Sequence, residues 1–253
     1  GRGGDIHLAQ PVRFPHSIGL LYSALTAYLG FRVNDGEWKV MGLAPYGEPK
    51  YVEQFSKLVK TLPDGSFQLN LDYFSHHYSS SRSVNYQKWE GFFGFPERRS
   101  DAPIEQHHED LARSGQVVVE ELILNLAKAA RRASQSENLV IAGGVGLNGV
   151  ANWRIEAERI FKNVWIQPAA GDDGAALGAA LLVSHQVFGE KRGEMNHAYW
   201  GPEFSEKEIK EYLDMRNCAY RQLSDQEVVA ETASLIAAGK VVGWFQGRME
   251  FGP

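Results

Sequence analysis

Two glycine-rich turns carry the residues best suited to chemistry. Gly143-Gly-Val-Gly-Leu-Asn148 follows the apolar run 138–142 and precedes a helical stretch, 149–161. Pro168-Ala-Ala-Gly-Asp-Asp-Gly174 follows the apolar run 164–166 and precedes another, 175–187. Glycines let a backbone approach a phosphate with no Cβ in the way, and the dipole and N–H groups of a following helix favour an anion. A single turn of this kind is as readily a plain tight turn. Two in succession, the second with adjacent carboxylates, point to a ligand site at the carboxyl ends of parallel strands. Asp172 and Asp173 could hold a metal ion or a hydroxyl. Asp173, directly before Gly174, suits a helix N-cap; Asp172 suits a ligand.

The first turn also contains Gly144-Val-Gly146-Leu-Asn-Gly149, a match to G-x-G-x-x-G, and Asp172 lies 23 residues past Gly149. That is near the spacing of a ribose-binding acid, so a Rossmann-type NAD(P)-binding oxidoreductase is one reading. Two features oppose it. Pro168-Ala-Ala-Gly171 separates the acid from the strand end, and the acids run straight into Gly174-Ala-Ala-Leu-Gly-Ala-Ala180. Elsewhere, Lys39 sits in an apolar segment bracketed by glycines and Pro45. It could neutralise a phosphate as a point charge, although composition alone favours a snorkelling surface lysine. His76-His77 and His107-His108 are adjacent pairs that share no helix face and lack metal-ligand spacing. His16 reads as an N-terminal helix residue. No G-x-S-x-G elbow is present and Cys218 has no His partner nearby in sequence, so covalent Ser or Cys catalysis has no support.

The elements that position the turns follow from apolar spacing. Ile18, Leu21, Tyr22, Leu25, Tyr28 and Leu29 form one face of a helix after Pro15, closed at Gly30. Residues 5–14 read as a strand or hairpin arm, 37–43 as a short helix stopped by Pro45, and 51–59 as another helix. Phe67, Leu69 and Leu71 alternate as a strand after the Pro63-Asp64-Gly65 turn, and Ser79-Ser80-Ser81 reads as a loop. The aromatic segment 89–95 is expected to pack beneath a surface stretch. The longest helix is expected over 105–134, with Leu111, Val118, Leu122 and Leu126 spaced seven, four and four apart. Strand, glycine turn, helix, twice over, gives an α/β unit with parallel strands, 138–142 being buried. Residues 189–197 read as a linker. Ser205-x-x-Glu208 and Ser224-x-x-Glu227 are capping boxes that open two more helices, Gly239 closes the second, and 240–246 reads as a strand.

Composition narrows the function classes. The 253 residues carry 26 basic and 31 acidic side chains, a net charge of -5, which leaves no polybasic field for nucleic acid. No apolar run reaches the length of a membrane span, and no signal peptide is visible. The single cysteine cannot form an internal disulfide, which fits a reducing cytoplasm. The chain opens without Met and stops at Gly252-Pro253, so it reads as a window on a longer protein.

Five blocks together resemble the NodU/CmcH family of O-carbamoyltransferases. They are Pro15-His-Ser-Ile-Gly-Leu-Leu-Tyr22, Lys39-Val-Met-Gly-Leu-Ala-Pro-Tyr-Gly47, Ala142-Gly-Gly-Val-Gly-Leu-Asn148, Pro168-Ala-Ala-Gly-Asp-Asp-Gly-Ala-Ala-Leu-Gly178 and Gly243-Trp-Phe-Gln-Gly-Arg-Met-Glu-Phe-Gly-Pro253. They stand in family order and span nearly the whole chain. The resemblance implies an α/β chain in two parts. Residues 1–194 would be the latter part of an actin/sugar-kinase/Hsp70-type ATPase domain, like that of tRNA threonylcarbamoyl-transferase proteins. Residues 195–253 would begin a YrdC-like domain. It implies formation of carbamoyl-adenylate from carbamoyl phosphate and ATP, then transfer of the carbamoyl group to a hydroxyl of a small-molecule acceptor. A divalent metal, usually iron, would assist as Lewis acid and template. A homodimer is compatible with it; nucleic-acid and membrane partners are not expected.

Residue by residue, the resemblance puts Gly143, Gly144, Val145 and Asn148 at the adenylate and Asp172 at the metal. Lys39, Met41 and Gly42 match a block lining the same cleft. Arg248 and Glu250 open a block that continues, in the family, beyond Pro253. The family's two metal-binding histidines and first phosphate-binding turn precede the region seen in this chain, and the body of the YrdC-like domain follows it. The chain alone is therefore expected to be inactive. Gly146 stands where many relatives carry Ala. A nucleotide-binding module that kept the fold and lost the chemistry is a third reading beside the transferase and the oxidoreductase.

Overall fold

In the computed structural model, which describes residues 1, 6–80 and 82–252, Ser17 opens the first helix, α1 (Ile18–Tyr28), by accepting the Leu20 N–H at 3.2 Å. The apolar face is the expected one, with Ile18, Leu21, Tyr22, Leu25 and Tyr28 buried. The expected strand over 5–14 is not formed among residues 6–14, and Asp5 lies outside the described residues. His16 precedes the N-cap instead of joining the helix, and its Nδ1 accepts the Leu69 N–H at 3.2 Å.

α2 (Glu37–Leu43) has the expected bounds, and a separate 3-10 turn, Ala44–Tyr46, follows it, with Pro45 tolerated in its first turn. α3 (Val52–Leu58) leads into β1 (Val59–Thr61), which pairs antiparallel with β2 (Phe67–Leu69). Leu71 was expected in that strand but begins a 3-10 turn, capped by Asn70. Residue 81 of the serine loop is not described. α4 (Tyr86–Phe93) carries the aromatic segment, and Trp89 lies in the main core rather than beneath a surface stretch. Its Nε1 donates to the Tyr73 carbonyl at 2.9 Å, satisfying the indole's single donor.

α5 (Gln106–Ser134) is the long axis of the first unit. Burial exceeds the single stripe that its spacing suggests. Leu111 and Leu122 are buried as expected, but so are Ala112, Ser114, Gln116, Val119 and Glu120, while Val118 and Leu126 are only partly covered. α1, α2, α3 and the turn after α2 all pack on it. Gly47 makes one of these approaches possible, since a Cβ there would meet the Glu109 carbonyl oxygen at 2.0 Å. Buried Asp110 pins the same segment by accepting from the Glu48 N–H and from Lys50 Nζ, each at 2.8 Å.

β3 (Asn138–Ile141) and β4 (Asn163–Ile166) pair in parallel, Asn138 opposite Asn163 through Ile141 opposite Ile166. α6 (Gly149–Ala157) and α7 (Asp172–Gln186) follow them, which completes the anticipated α/β unit. Leu139, Ile141 and Val164 pack on Leu124, Ala127, Ile155 and Phe161. The other face is open: Val140 is 66% exposed and Trp165 41%. β3 is thus covered on one face only, not buried as expected, because Val140 and Trp165 are left exposed on the other.

The chain divides into two compact units, Gly1–Lys191 and Arg192–Pro253. In the second, α8 (Glu206–Met215) and α9 (Asp225–Ala237) start at the two anticipated capping boxes, with Ser205 and Ser224 N–H groups each donating to the partner glutamate at 2.8 Å. The strand expected over 240–246 is absent. Pairing occurs elsewhere, where Gly201 and Phe251 N–H groups donate to the Met249 and Ala198 carbonyls at 2.8 and 2.7 Å. A strand needs a ladder partner, and no described residue offers one to 240–246. No helix among the described residues is long and apolar enough to cross a membrane.

The start of α5 makes stability depend on pH. His108 is 5% exposed, and its Nδ1 accepts the Glu105 N–H at 2.9 Å. Burial, then His107 and Arg98, lowers its pKa to about 4. The unfolded chain binds this proton near pH 6.5, so the contribution is complete above about 6.5 and is lost as pH falls toward about 4. His108→Gln keeps an acceptor at the cap and removes the titration. Melting temperature should fall more steeply between these pH values in the unsubstituted protein than in His108→Gln; parallel curves would refute the assignment.

Candidate functional site

The two glycine turns meet. The Gly143 N–H donates to the Ala170 carbonyl at 2.6 Å, and nearer the strand ends the Gln167 N–H donates to the Ile141 carbonyl at 3.1 Å. Gly143 has φ +108° and ψ 152°, a conformation reserved in practice for glycine. Gly143 and Gly144 are exposed, and a Cβ on either would meet nothing within 4 Å. Their backbone therefore faces open space in which a ligand can approach. Gly146, in the 3-10 turn Gly144–Leu147, faces inward. A Cβ there would lie 3.1 Å from Ile141 Cγ2 and 3.2 Å from Ala170 Cβ, so alanine would require a small shift. Val145 packs against the main core and anchors the turn.

The second turn differs from expectation at its cap. α7 begins at Asp172, its N-cap is Gly171, and no side chain caps it. Asp173 is therefore inside the first turn and does not cap. Gly174 closes tightly on the preceding turn, where a Cβ would meet the Ala169 carbonyl oxygen at 2.0 Å. Ala169 and Ala170 are buried beneath it. Asp172 and Asp173 are both exposed, next to the positive end of the helix dipole.

Asn148 joins the first turn to the body of the unit. Its Oδ1 caps α6 by accepting the Ala151 N–H at 3.0 Å, and the Gly146 carbonyl accepts from Asn152 Nδ2 at 2.7 Å. The Asn148 amide also pairs with Gln116 on α5, which contacts the Tyr22 hydroxyl at 2.8 Å and Glu120 Oε1 at 3.1 Å. Arg154 of α6 lies 3.2 Å from the other Glu120 oxygen. Burial, then Glu120 and Glu37, pushes the Tyr22 hydroxyl pKa up and keeps it a donor. Sequence reasoning missed Tyr22, Gln116, Glu120 and Arg154 as parts of the site. The available signal was Gln116 and Glu120, two polar residues four apart on the helix face that also carries Leu111, Ala112 and Val119.

Of the other expected site residues of the first unit, Lys39, Met41 and Gly42 make no hydrogen bond or ion pair with the turns among the described residues. Lys39 is exposed on α2, its Nζ 5.4 Å from the Trp38 ring centre. Gly42 is exposed with open space around it, and Met41 is half-buried. Arg248 belongs to the second unit, where its Nε donates to the Gly201 carbonyl at 3.2 Å; Glu250 is exposed in the same unit. His76 contacts the Pro15 carbonyl through Nε2, and His108 is the cap already described. Among the described residues no group of three or more His, Cys, Asp or Glu side chains is arranged to hold a metal.

The Gly174 contact makes a quantitative prediction. Gly174→Ala should destabilise by about 1–3 kcal/mol through overpacking. Gly178→Ala, where a Cβ meets nothing within 4 Å, should be neutral or stabilise by up to about 1 kcal/mol. Urea midpoints of the two variants give the comparison, and equal midpoints would remove the close approach as the reason for glycine at 174.

Residues 1–181 match the family described as carbamoyltransferase N-terminus. A Synechocystis protein is 46% identical over 100% of this chain and 42% of its own length. Nodulation protein NolO of Bradyrhizobium diazoefficiens is 34% identical over 99% of the chain and 44% of its length. The 3'-hydroxymethylcephem-O-carbamoyltransferase of Streptomyces clavuligerus is 32% identical over 57% of the chain and 26% of its length. The chain thus spans less than half the length of these relatives. With its two joined glycine turns inside the matched region, the chain belongs to the carbamoyltransferase N-terminus family.

Proposed function

We propose that the protein takes part in ATP-dependent O-carbamoyl transfer, passing a carbamoyl group from carbamoyl phosphate through carbamoyl-adenylate to a hydroxyl of a small natural product or sugar. The observation that carries this is the bond from Gly143 to Ala170, which sets an open, Cβ-free backbone beside the start of α7. Family membership supports a transferase over the Rossmann oxidoreductase, and the name of the Streptomyces clavuligerus relative supports a hydroxyl acceptor. In this reading, residues 1–194 contribute to an actin/sugar-kinase/Hsp70-type domain and 195–253 begin a YrdC-like one. Gly143, Gly144, Val145 and Asn148 would line the adenylate, with Met41, Gly42 and Lys39 in the same cleft, while Arg248 and Glu250 open the block that begins the YrdC-like part.

The division of labour between the turns follows from charge. The 143–148 turn presents backbone with no carboxylate, which suits a phosphate. The α7 start carries Asp172 and Asp173, which would repel a bare phosphate and suit a cation or hydroxyl. The described residues do not by themselves fit a metal centre, since Asp172 has no set of further donors around it. Asp172 remains the residue proposed to carry iron in the complete gene product.

Calorimetry on the complete gene product separates the readings: AMP should bind and NADH should not, and the reverse would overturn the transferase. Asp172→Asn should lower bound iron and carbamoyl transfer together; unchanged values of both would remove Asp172 from the site. Gly42→Ala should stabilise α2 by up to about 1 kcal/mol while weakening AMP binding. Unchanged AMP affinity would take α2 out of the cleft.

A further inference from the structure

Asn148 and Gln116 face each other as paired amides. Asn148 Oδ1 accepts from Gln116 Nε2 and Asn148 Nδ2 donates to Gln116 Oε1, both at 3.0 Å. Such a pair has two polarities of nearly the same shape, because an amide's oxygen and nitrogen ends differ little in size. Its surroundings select one. Gln116 Nε2 also donates to Glu120 Oε1 at 3.1 Å, and a carboxylate can only accept. Glu120 is 4% exposed, with Arg154 Nη1 3.2 Å and Arg113 Nη1 4.0 Å away to balance its charge. On the opposite side, the Tyr22 hydroxyl donates to Gln116 Oε1 at 2.8 Å. With Gln116 oriented in this way, Asn148 must turn its oxygen toward the Ala151 N–H, 3.0 Å away, and so caps α6.

We propose that Gln116 is a positioning residue for the glycine turn. It passes the polarity set by Glu120 to Asn148, and Asn148 fixes where the 143–148 turn joins α6, hence where Gly143 and Gly144 present their open backbone. The choice of ligand rests on the adenylate reading above; the polarity relay is a property of the fold.

The test is a rescue in the complete gene product, with adenosine as the probe because it carries no charge. Gln116→Met keeps the bulk and removes the relay. It should weaken adenosine binding about tenfold, the loss usual when an outer partner that orients a binding group is removed. It should also speed hydrogen exchange at the Ala151 amide. Adding Asn148→Asp to Gln116→Met should restore slow exchange at the Ala151 amide, because a carboxylate has two equivalent oxygens and needs no partner to choose its polarity. In the otherwise unchanged protein, Asn148→Asp should weaken binding, since it sets an oxygen against Gln116 Oε1. Unchanged affinity and exchange in Gln116→Met, or fast Ala151 exchange that Asn148→Asp leaves in place, overturns the proposal. If Gln116→Met fails to fold, Tyr22→Phe removes one side of the selection and should speed Ala151 exchange more mildly; no change there also overturns it. If the unsubstituted protein binds no adenosine, the adenylate reading fails, and exchange at Ala151 still decides the relay.

Discussion

The first unit depends on close approach to one buried helix. α5 is covered on several sides at once, by α1, α2, α3 and α6, and each neighbour must come near without stranding polar groups. Gly47 permits one approach by lacking a Cβ against the Glu109 carbonyl. Asp110 and Ser114 satisfy the backbone that arrives there, through the Glu48 and Tyr51 N–H groups at 2.8 and 2.9 Å. On the site side of the helix, Gln116 and Glu120 instead satisfy side chains, those of Asn148 and Arg154. The polar residues of α5 are thus sunk into its contacts, where an unpaired group would cost about 1–3 kcal/mol.

This arrangement separates two uses of glycine that look alike in sequence. Gly47 and Gly174 are required by backbone packed against them at 2.0 Å. Gly143 and Gly144 are required by nothing within 4 Å, and Gly143 holds a conformation that other residues avoid. The first kind builds the frame, and the second leaves a surface free for close approach. Only the second is a candidate for touching a ligand, although both occur in the same glycine-rich motifs.

Local signals were legible and long-range ones were not. The capping boxes at Ser205 and Ser224 and the bounds of α2 depend on residues three or four apart, and they stand where expected. The paired strand–turn–helix units were legible because apolar runs and glycines alternate in order along the chain. The strand over 240–246 was not decidable, since β structure exists only with a partner and the apolar run looks the same without one. The cap of α7 was placed at Asp173, two residues past the observed N-cap Gly171, a displacement at a helix end that local sequence does not resolve. The tie between Tyr22, Gln116 and Asn148 joins residues 94 and 32 positions apart, a distance that no periodicity reports.

The in-register pairing of β3 and β4 has a metric consequence. Ile141 lies opposite Ile166, so both strands end at the same height and their turns emerge side by side. Sliding one strand by a single residue would offset the turns by about 3.3 Å and turn Leu139 and Ile141 away from Ile155 and Phe161. The Gly143 bond to Ala170 spans 2.6 Å and would not survive that offset. The sheet therefore works as a gauge: four paired residues per strand set the gap between an open backbone and a carboxylate-bearing helix start, and the apolar packing beneath them makes any other setting costly.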